Sequence, residues 1–351
     1  MRLNRRSALA LAALTGALLA TTPVAPASAA ATPRAVPLPI ADAADVVSAG
    51  DRVFVSGGRN STDVVVTAAN GDVLGTVSNL PGPTDLLLSA DRQTLYVALP
   101  SAGAIAAVNT GTLTEFARFD TGAAGCNPSS LALTGRYLWF GYGCGDSSWN
   151  GNIGRLDLGR QPAALTTGLA RQTYYGAPLL TAASQNRAVL LAGQQSLSPG
   201  SVDAYGIGAA GALSFLRTNE FSALGSNLGD IALNPAGDTV YTASGAPYEV
   251  LAFPFADITT PSATYPTGPY PVAVELTRDG GRVAAGVDGY YDPDVFVFGL
   301  GGVEQARFEL GGLLVDGGLA WAPNGARLYA ITSDWTGAVP ATLHVLPVPA
   351  A

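Results

Sequence analysis

The stretch Leu233-Asn-Pro-Ala-Gly-Asp-Thr-Val-Tyr-Thr-Ala-Ser-Gly245 decides the fold. It reads as the end of one short strand, a Pro/Gly/Asp turn, and a second strand, Val240 to Ala243, that stops at Ser244-Gly245. That second strand recurs as Arg52-Val-Phe-Val-Ser56, Thr94-Leu-Tyr-Val-Ala98, Tyr137-Leu-Trp-Phe-Gly141, Ala188-Val-Leu-Leu-Ala192, Arg282-Val-Ala-Ala-Gly286 and Arg327-Leu-Tyr-Ala-Ile331. The anchors Val53, Leu95, Leu138, Val189, Val240, Val283 and Leu328 stand 42, 43, 51, 51, 43 and 45 residues apart. A unit of this length built from short strands cannot bury its apolar face alone, whereas units stacked around an axis can. Seven anchors predict an all-β, seven-bladed β-propeller with four-stranded antiparallel blades.

Working outward, each unit continues with a third strand, such as Asp63-Val-Val-Val-Thr67, Ala104-Ile-Ala-Ala-Val108 or Asp294-Val-Phe-Val-Phe298. A Gly-bearing turn (Asn70-Gly71, Thr110-Gly111) and a more polar fourth strand follow. The last unit offers Gly318 to Ala322, Arg327 to Thr332 and Thr342 to Val348, and lacks an outer strand. At the other end, Ala35-Val-Pro-Leu-Pro-Ile-Ala41 has no partner of its own. This N-terminal strand is expected to pair with Thr342–Val348 and close the ring on the last blade, removing an exposed sheet edge. Pro37 and Pro39 suit an outermost strand, where a missing N–H faces solvent.

The N-terminus reads as an export signal: Arg2, Arg5 and Arg6, an apolar core from Ala8 to Ala20, and Ala27-Ser-Ala29 as a cleavage site. The expected organisation is residues 1–29 as signal peptide and 30–351 as one propeller, secreted to an extracellular location by the general or the twin-arginine route. The apolar core is too short for an anchor, so no membrane span is expected. The formal charge of −8 becomes −11 once the three signal arginines are gone, and there is no lysine. An acidic chain whose arginines are scattered in sequence argues against nucleic acid as a partner. Monomeric behaviour is expected. The two cysteines, Cys126 and Cys144, read as a disulfide in that compartment, Cys126 in the loop entering the inner strand of blade three and Cys144 in the loop leaving its second strand.

Three loops joining second to third strands gather acids and aromatics: Gly143-Cys-Gly-Asp-Ser-Ser-Trp-Asn150, Asp288-Gly-Tyr-Tyr-Asp-Pro-Asp294 and Ser333-Asp-Trp-Thr-Gly337. Aromatic faces beside polar groups hold sugars and small amphipathic ligands, which makes Trp149, Tyr290, Tyr291, Asp334 and Trp335 the ligand-binding candidates. Such residues also occur in ordinary turns. Asp288, Asp292 and Asp294 could supply oxygen ligands to Ca²⁺, although the spacing is not that of an EF-hand and these are turn formers too. Asp85 and Asp230 precede the inner strands of blades two and five, where Ser130 and Gly318 stand in blades three and seven. They could bind a cation or serve as a base, or could cap loop amides. Glu275 aligns with Ala132, Ala232 and Ala320, positions expected to pack between blades, so it should need a partner such as Arg278. One histidine, His344, on a strand face, leaves no multi-histidine metal site.

Gly82-Pro-Thr-Asp-Leu-Leu-Leu-Ser-Ala-Asp-Arg-Gln-Thr-Leu-Tyr-Val-Ala98 and Ala106-Ala-Val-Asn-Thr-Gly-Thr-Leu113 resemble the YVTN-type propeller repeat of secreted and surface-layer bacterial proteins. Gly268-Pro-Tyr-Pro271 and Asp279-Gly280 repeat parts of it. The resemblance covers blades two, five, six and seven well and the others loosely. The chain also resembles the propeller region that precedes Ig-like repeats in some actinobacterial surface proteins. What the resemblance implies is a fold more than an activity, because the shared residues are structural. The function expected is an exported, non-catalytic binding module for an extracellular protein, glycan or small molecule. The alternatives are a Ca²⁺-dependent lactonase-type hydrolase using Asp230, Asp85 or Glu275 as base, and a structural cell-envelope protein.

Overall fold

The computed structural model describes residues 32–122, 126–144, 149–195, 197–220, 224–291, 293–334 and 336–349. The signal segment, Asp292 and Trp335 lie outside them. The described chain forms seven antiparallel sheets of four strands, each sheet with its strands in sequence order except the last. That last sheet runs Leu314–Trp321, Arg327–Thr332, Thr342–Pro347 and then Arg34–Pro37. Arg34 pairs with Val345 and Pro37 with Thr342, so the first strand of the chain closes blade seven as the sequence predicts. The closing strand is shorter than the run read from sequence: it ends at Pro37, and Pro39 lies beyond it. The described helical structure is two three-residue 3₁₀ turns.

The second strands are the most buried. Val53–Ser56, Leu138–Tyr142 and Val189–Gln194 are covered on both faces. This is why they read as unbroken apolar runs instead of alternating ones: each sheet is packed face to face between two others. The fourth strands, such as Glu115–Asp120, lie at the rim and are mostly solvated. Side chains of neighbouring blades make the core. Val53 and Val55 of blade one meet Tyr329, Ile331 and Leu343 of blade seven, and Tyr241 and Tyr265 of blade five meet Phe296 and Phe298 of blade six. Full burial of each such side chain contributes about 1.5–3 kcal/mol. Several buried polar groups are paired across the sheets. The Trp139 indole donates to Thr134 Oγ1 at 2.7 Å, and the Tyr174 hydroxyl donates to Asp203 at 2.8 Å with the Tyr205 hydroxyl also 2.8 Å away. No helix among the described residues is long and apolar enough to cross a membrane.

Cys126 and Cys144 form the expected disulfide, S–S 2.05 Å. They are not in loops, however. The first two strands of blade three extend far enough to make them directly opposed residues of the sheet. The bond therefore ties two strand ends together.

Candidate functional site

The innermost strands surround an axial channel with two chambers of about 600 and 310 Å³. Asp45, Asp85, Asp230 and Gly317 line both and form the waist. Asp85 and Asp230 sit where the repeat places them, and Asp45 of blade one joins them. Each carboxylate is used to link blades. Asp45 Oδ2 accepts the amide of Leu86, Asp85 Oδ2 that of Leu131, and Asp230 Oδ2 that of Val274 at 2.9 Å. Ser130 Oγ accepts the amide of Leu180 in the same manner and hydrogen-bonds Asp85. The cause is local: the strand starts beside the axis, and its neighbour presents an amide that no sheet ladder satisfies.

These carboxyls titrate abnormally. Asp45 and Asp85 lie close enough for the Asp85 carboxyl to act on Asp45. Burial first, and then the Asp85 charge, hold Asp45 well above the usual carboxylate range. Burial pushes Asp85 up to about 6 against the amide bonds that lower it. Asp230 is pushed up to about 7 by burial, with the charges of Asp316 and Asp85 adding to it. Asp316, in the upper chamber, rises to about 6.

Glu275 corrects the sequence reading. It does not pack between blades as Ala132 and Ala232 do, but turns into the lower chamber, half-buried. Among the described residues no arginine pairs with it, Arg278 included. Burial and then the Asp230 charge push it up to about 8, so it is protonated at neutral pH. The side chain is partly open to the channel, yet the channel walls still desolvate it.

The face bearing the interblade and second-to-third loops, here the upper face, holds the aromatics. Trp149 is 56 % exposed and stands edge-on to Tyr175 at 5.8 Å. Tyr291 stacks on Tyr270 at 5.9 Å and 14°, and Tyr270 meets Tyr248 at 5.9 Å and 54°. Tyr290 is 72 % exposed beside them. Tyr175, Tyr248 and Tyr270 were not singled out from sequence; the signal available was an aromatic next to the proline-bearing loop ends Pro247 and Pro271. Trp149, Tyr248 and Tyr270 have left-handed backbone, φ 64°, 74° and 55°. For a bulky side chain that conformation costs about 1–2 kcal/mol. The Tyr270 ring lies against Gly245, where a Cβ would come within 2.7 Å of it.

The remaining candidates do not converge. Asp334 Oδ1 accepts the Thr336 amide at 3.0 Å and Oδ2 the Thr336 hydroxyl, so its carboxylate caps its own turn. Asp288 accepts the Tyr290 amide, and buried Asp294 accepts that of Leu310 at 2.6 Å. Among the described residues no three His, Cys, Asp or Glu side chains stand close enough together to hold a metal ion. His344 is buried against Thr332 Oγ1 at 2.9 Å, and burial lowers it to about 4.

No protein-family model and no curated protein matches the sequence. Solved structures do match in shape. A chain of the "Crystal Structure of Mitotic Checkpoint Complex" aligns with TM-score 0.71 and 16% identity, covering 99% of this chain and 100% of that one. The "Crystal structure of RRP9 WD40 repeats" aligns with TM-score 0.70 and 14% identity, over 93% of this chain and 99% of that one. "Kuenenia stuttgartiensis Hydrazine Synthase" aligns with TM-score 0.64 and 19% identity, over 87% and 96%. Such identities establish a propeller fold and nothing finer.

Proposed function

We propose that this protein is an exported, non-catalytic binding module that captures an extracellular protein, glycan or small molecule on its upper face. The observation that carries the reading is the row Tyr248, Tyr270 and Tyr291, exposed together on a rigid ring and built partly on unfavourable backbone. Stacked aromatic rings left in water give a partner large apolar contacts at little entropic cost, with hydroxyls for orientation. The shape likeness to WD40 repeats is compatible with a scaffold that presents loops to partners. The export signal and the YVTN-like phrase of blade two support an extracellular, bacterial-envelope setting. Asp85 and Asp230 are committed to blade-linking amides, which favours binding over hydrolysis.

The test is retention of purified protein on extracellular polysaccharide and on a washed envelope fraction. Replacing the three tyrosines by alanine is expected to weaken retention at least about tenfold. Equal retention would remove the tyrosine row from the function. Ca²⁺-dependent lactone turnover lost in Asp230→Ala would favour the hydrolase instead.

A further inference from the structure

The lower chamber opens between the turns that join first to second strands, and two arginines reach into it. Arg92 comes from blade two and Arg278 from blade six, with Gln185 of blade four beside them. Among the described residues neither guanidinium has a carboxylate or hydrogen-bond partner, and the two are close enough for the Arg278 charge to act on Arg92. Unpaired cations converging across one cavity are unusual in a chain of net charge −8.

The backbone supplies a second, independent observation. Four of these turns have the same length. In three of them the left-handed residue is glycine: Gly237, Gly280 and Gly325, at φ 74°, 73° and 66°. Each donates its amide to the carbonyl three residues back, and Arg92 of blade two does the same at φ 58°. A long charged side chain thus occupies a position that the repeat otherwise gives to glycine. Arg278 likewise stands where the sister turns have Ala90, Pro235 and Pro323. Both departures aim charge at the same cavity.

We infer that the lower chamber is a binding site for a small oxyanion-bearing solute, its anionic head held between Arg92 and Arg278 and its polar remainder directed toward Glu275. Guanidinium forks match tetrahedral and planar oxyanions through paired N–H donors. The charged groups lining the chamber are Asp45, Asp85, Asp230, Glu275, Arg92 and Arg278. Its sign depends on pH. Near neutrality Glu275 at about 8 holds its proton, Asp230 at about 7 is partly ionised and Asp85 at about 6 is ionised. Burial holds Asp45 well above the usual carboxylate range, so the two arginines prevail, and more so at lower pH. Above about pH 8 the acids ionise and would repel an anion.

The probe is sulfate, whose charge is constant over this range, titrated calorimetrically into the full mature protein at fixed ionic strength. Saturable binding near pH 6 is expected, at least about tenfold weaker near pH 9. Arg278→Ala and Arg92→Gly should each lose about tenfold in affinity, and the double variant should show no saturable heat. Arg92→Gly should also melt no lower than the parent without sulfate, which separates lost binding from lost folding. Absence of saturable heat in the parent, equal binding by the double variant, or affinity that rises with pH would overturn the assignment.

Discussion

On the upper face the residues held in left-handed backbone include Trp149, Tyr248 and Tyr270; on the lower face Arg92 takes that conformation where three sister turns have glycine. The upper loops vary in length and sequence from blade to blade, whereas four of the lower turns repeat. A strained aromatic above therefore has no template to be measured against, while a strained arginine below is a visible departure from one. The same backbone device presents apolar surface on one side of the ring and positive charge on the other, with a waist of linked carboxyls between.

The largest effect should separate the faces. Replacing both cysteines by serine releases the 18-residue span between Cys126 and Cys144 and should lower unfolding free energy by about 3 kcal/mol in a denaturant titration. Sulfate affinity at the lower mouth should not change; if it falls with stability, the faces are not independent.

Next in size is the response of the waist to pH. Asp85, Asp230 and Glu275, at about 6, 7 and 8, bind protons more tightly folded than unfolded. Their stabilisation is complete below about pH 4 and is lost as pH rises through those values, so the folded state should weaken between about pH 5 and 8.5. A fall of several degrees in Tm is expected across this interval, with a shallower slope in Glu275→Gln. A Tm that climbs over this interval would mean the channel acids are ionised throughout.

Smaller in stability but decisive for binding is Gly245→Ala. The new methyl would meet the Tyr270 ring at 2.7 Å and displace it from the row, at a stability cost of about 1 kcal/mol or less. Retention on the partner should drop as far as in Tyr270→Ala. Smallest of all, Arg92→Gly should change unfolding free energy by about +1 kcal/mol at most, the strain relieved being partly offset by a more flexible unfolded chain.

How much of this was legible follows from what repeats. The seven second strands share a sequence pattern because each is packed between two sheets, so blade number and ring closure could be read directly. Asp85 and Asp230 were found because each precedes its anchor, Leu95 or Val240, by ten residues. Asp45 was missed because its turn is shorter and it precedes Val53 by only eight. Glu275 was recognised as out of place, but the pattern could not say that its side chain turns to the axis instead of the blade interface. Arginines that look scattered in sequence meet at the lower mouth because the ring gathers turns that lie far apart along the chain. Tyr175 and Tyr248 belong to connections that no repeat constrains, and only the fold brings Tyr175 beside Trp149 and Tyr248 beside Tyr270.

The pairing of Arg34 with Val345 makes the strand Arg34–Pro37 the last structural piece of the final sheet. A polypeptide emerging in sequence can stack its blades one after another, yet carries an unfinished circle until Thr342–Pro347 has been made. The strand synthesised first must wait for one made some three hundred residues later.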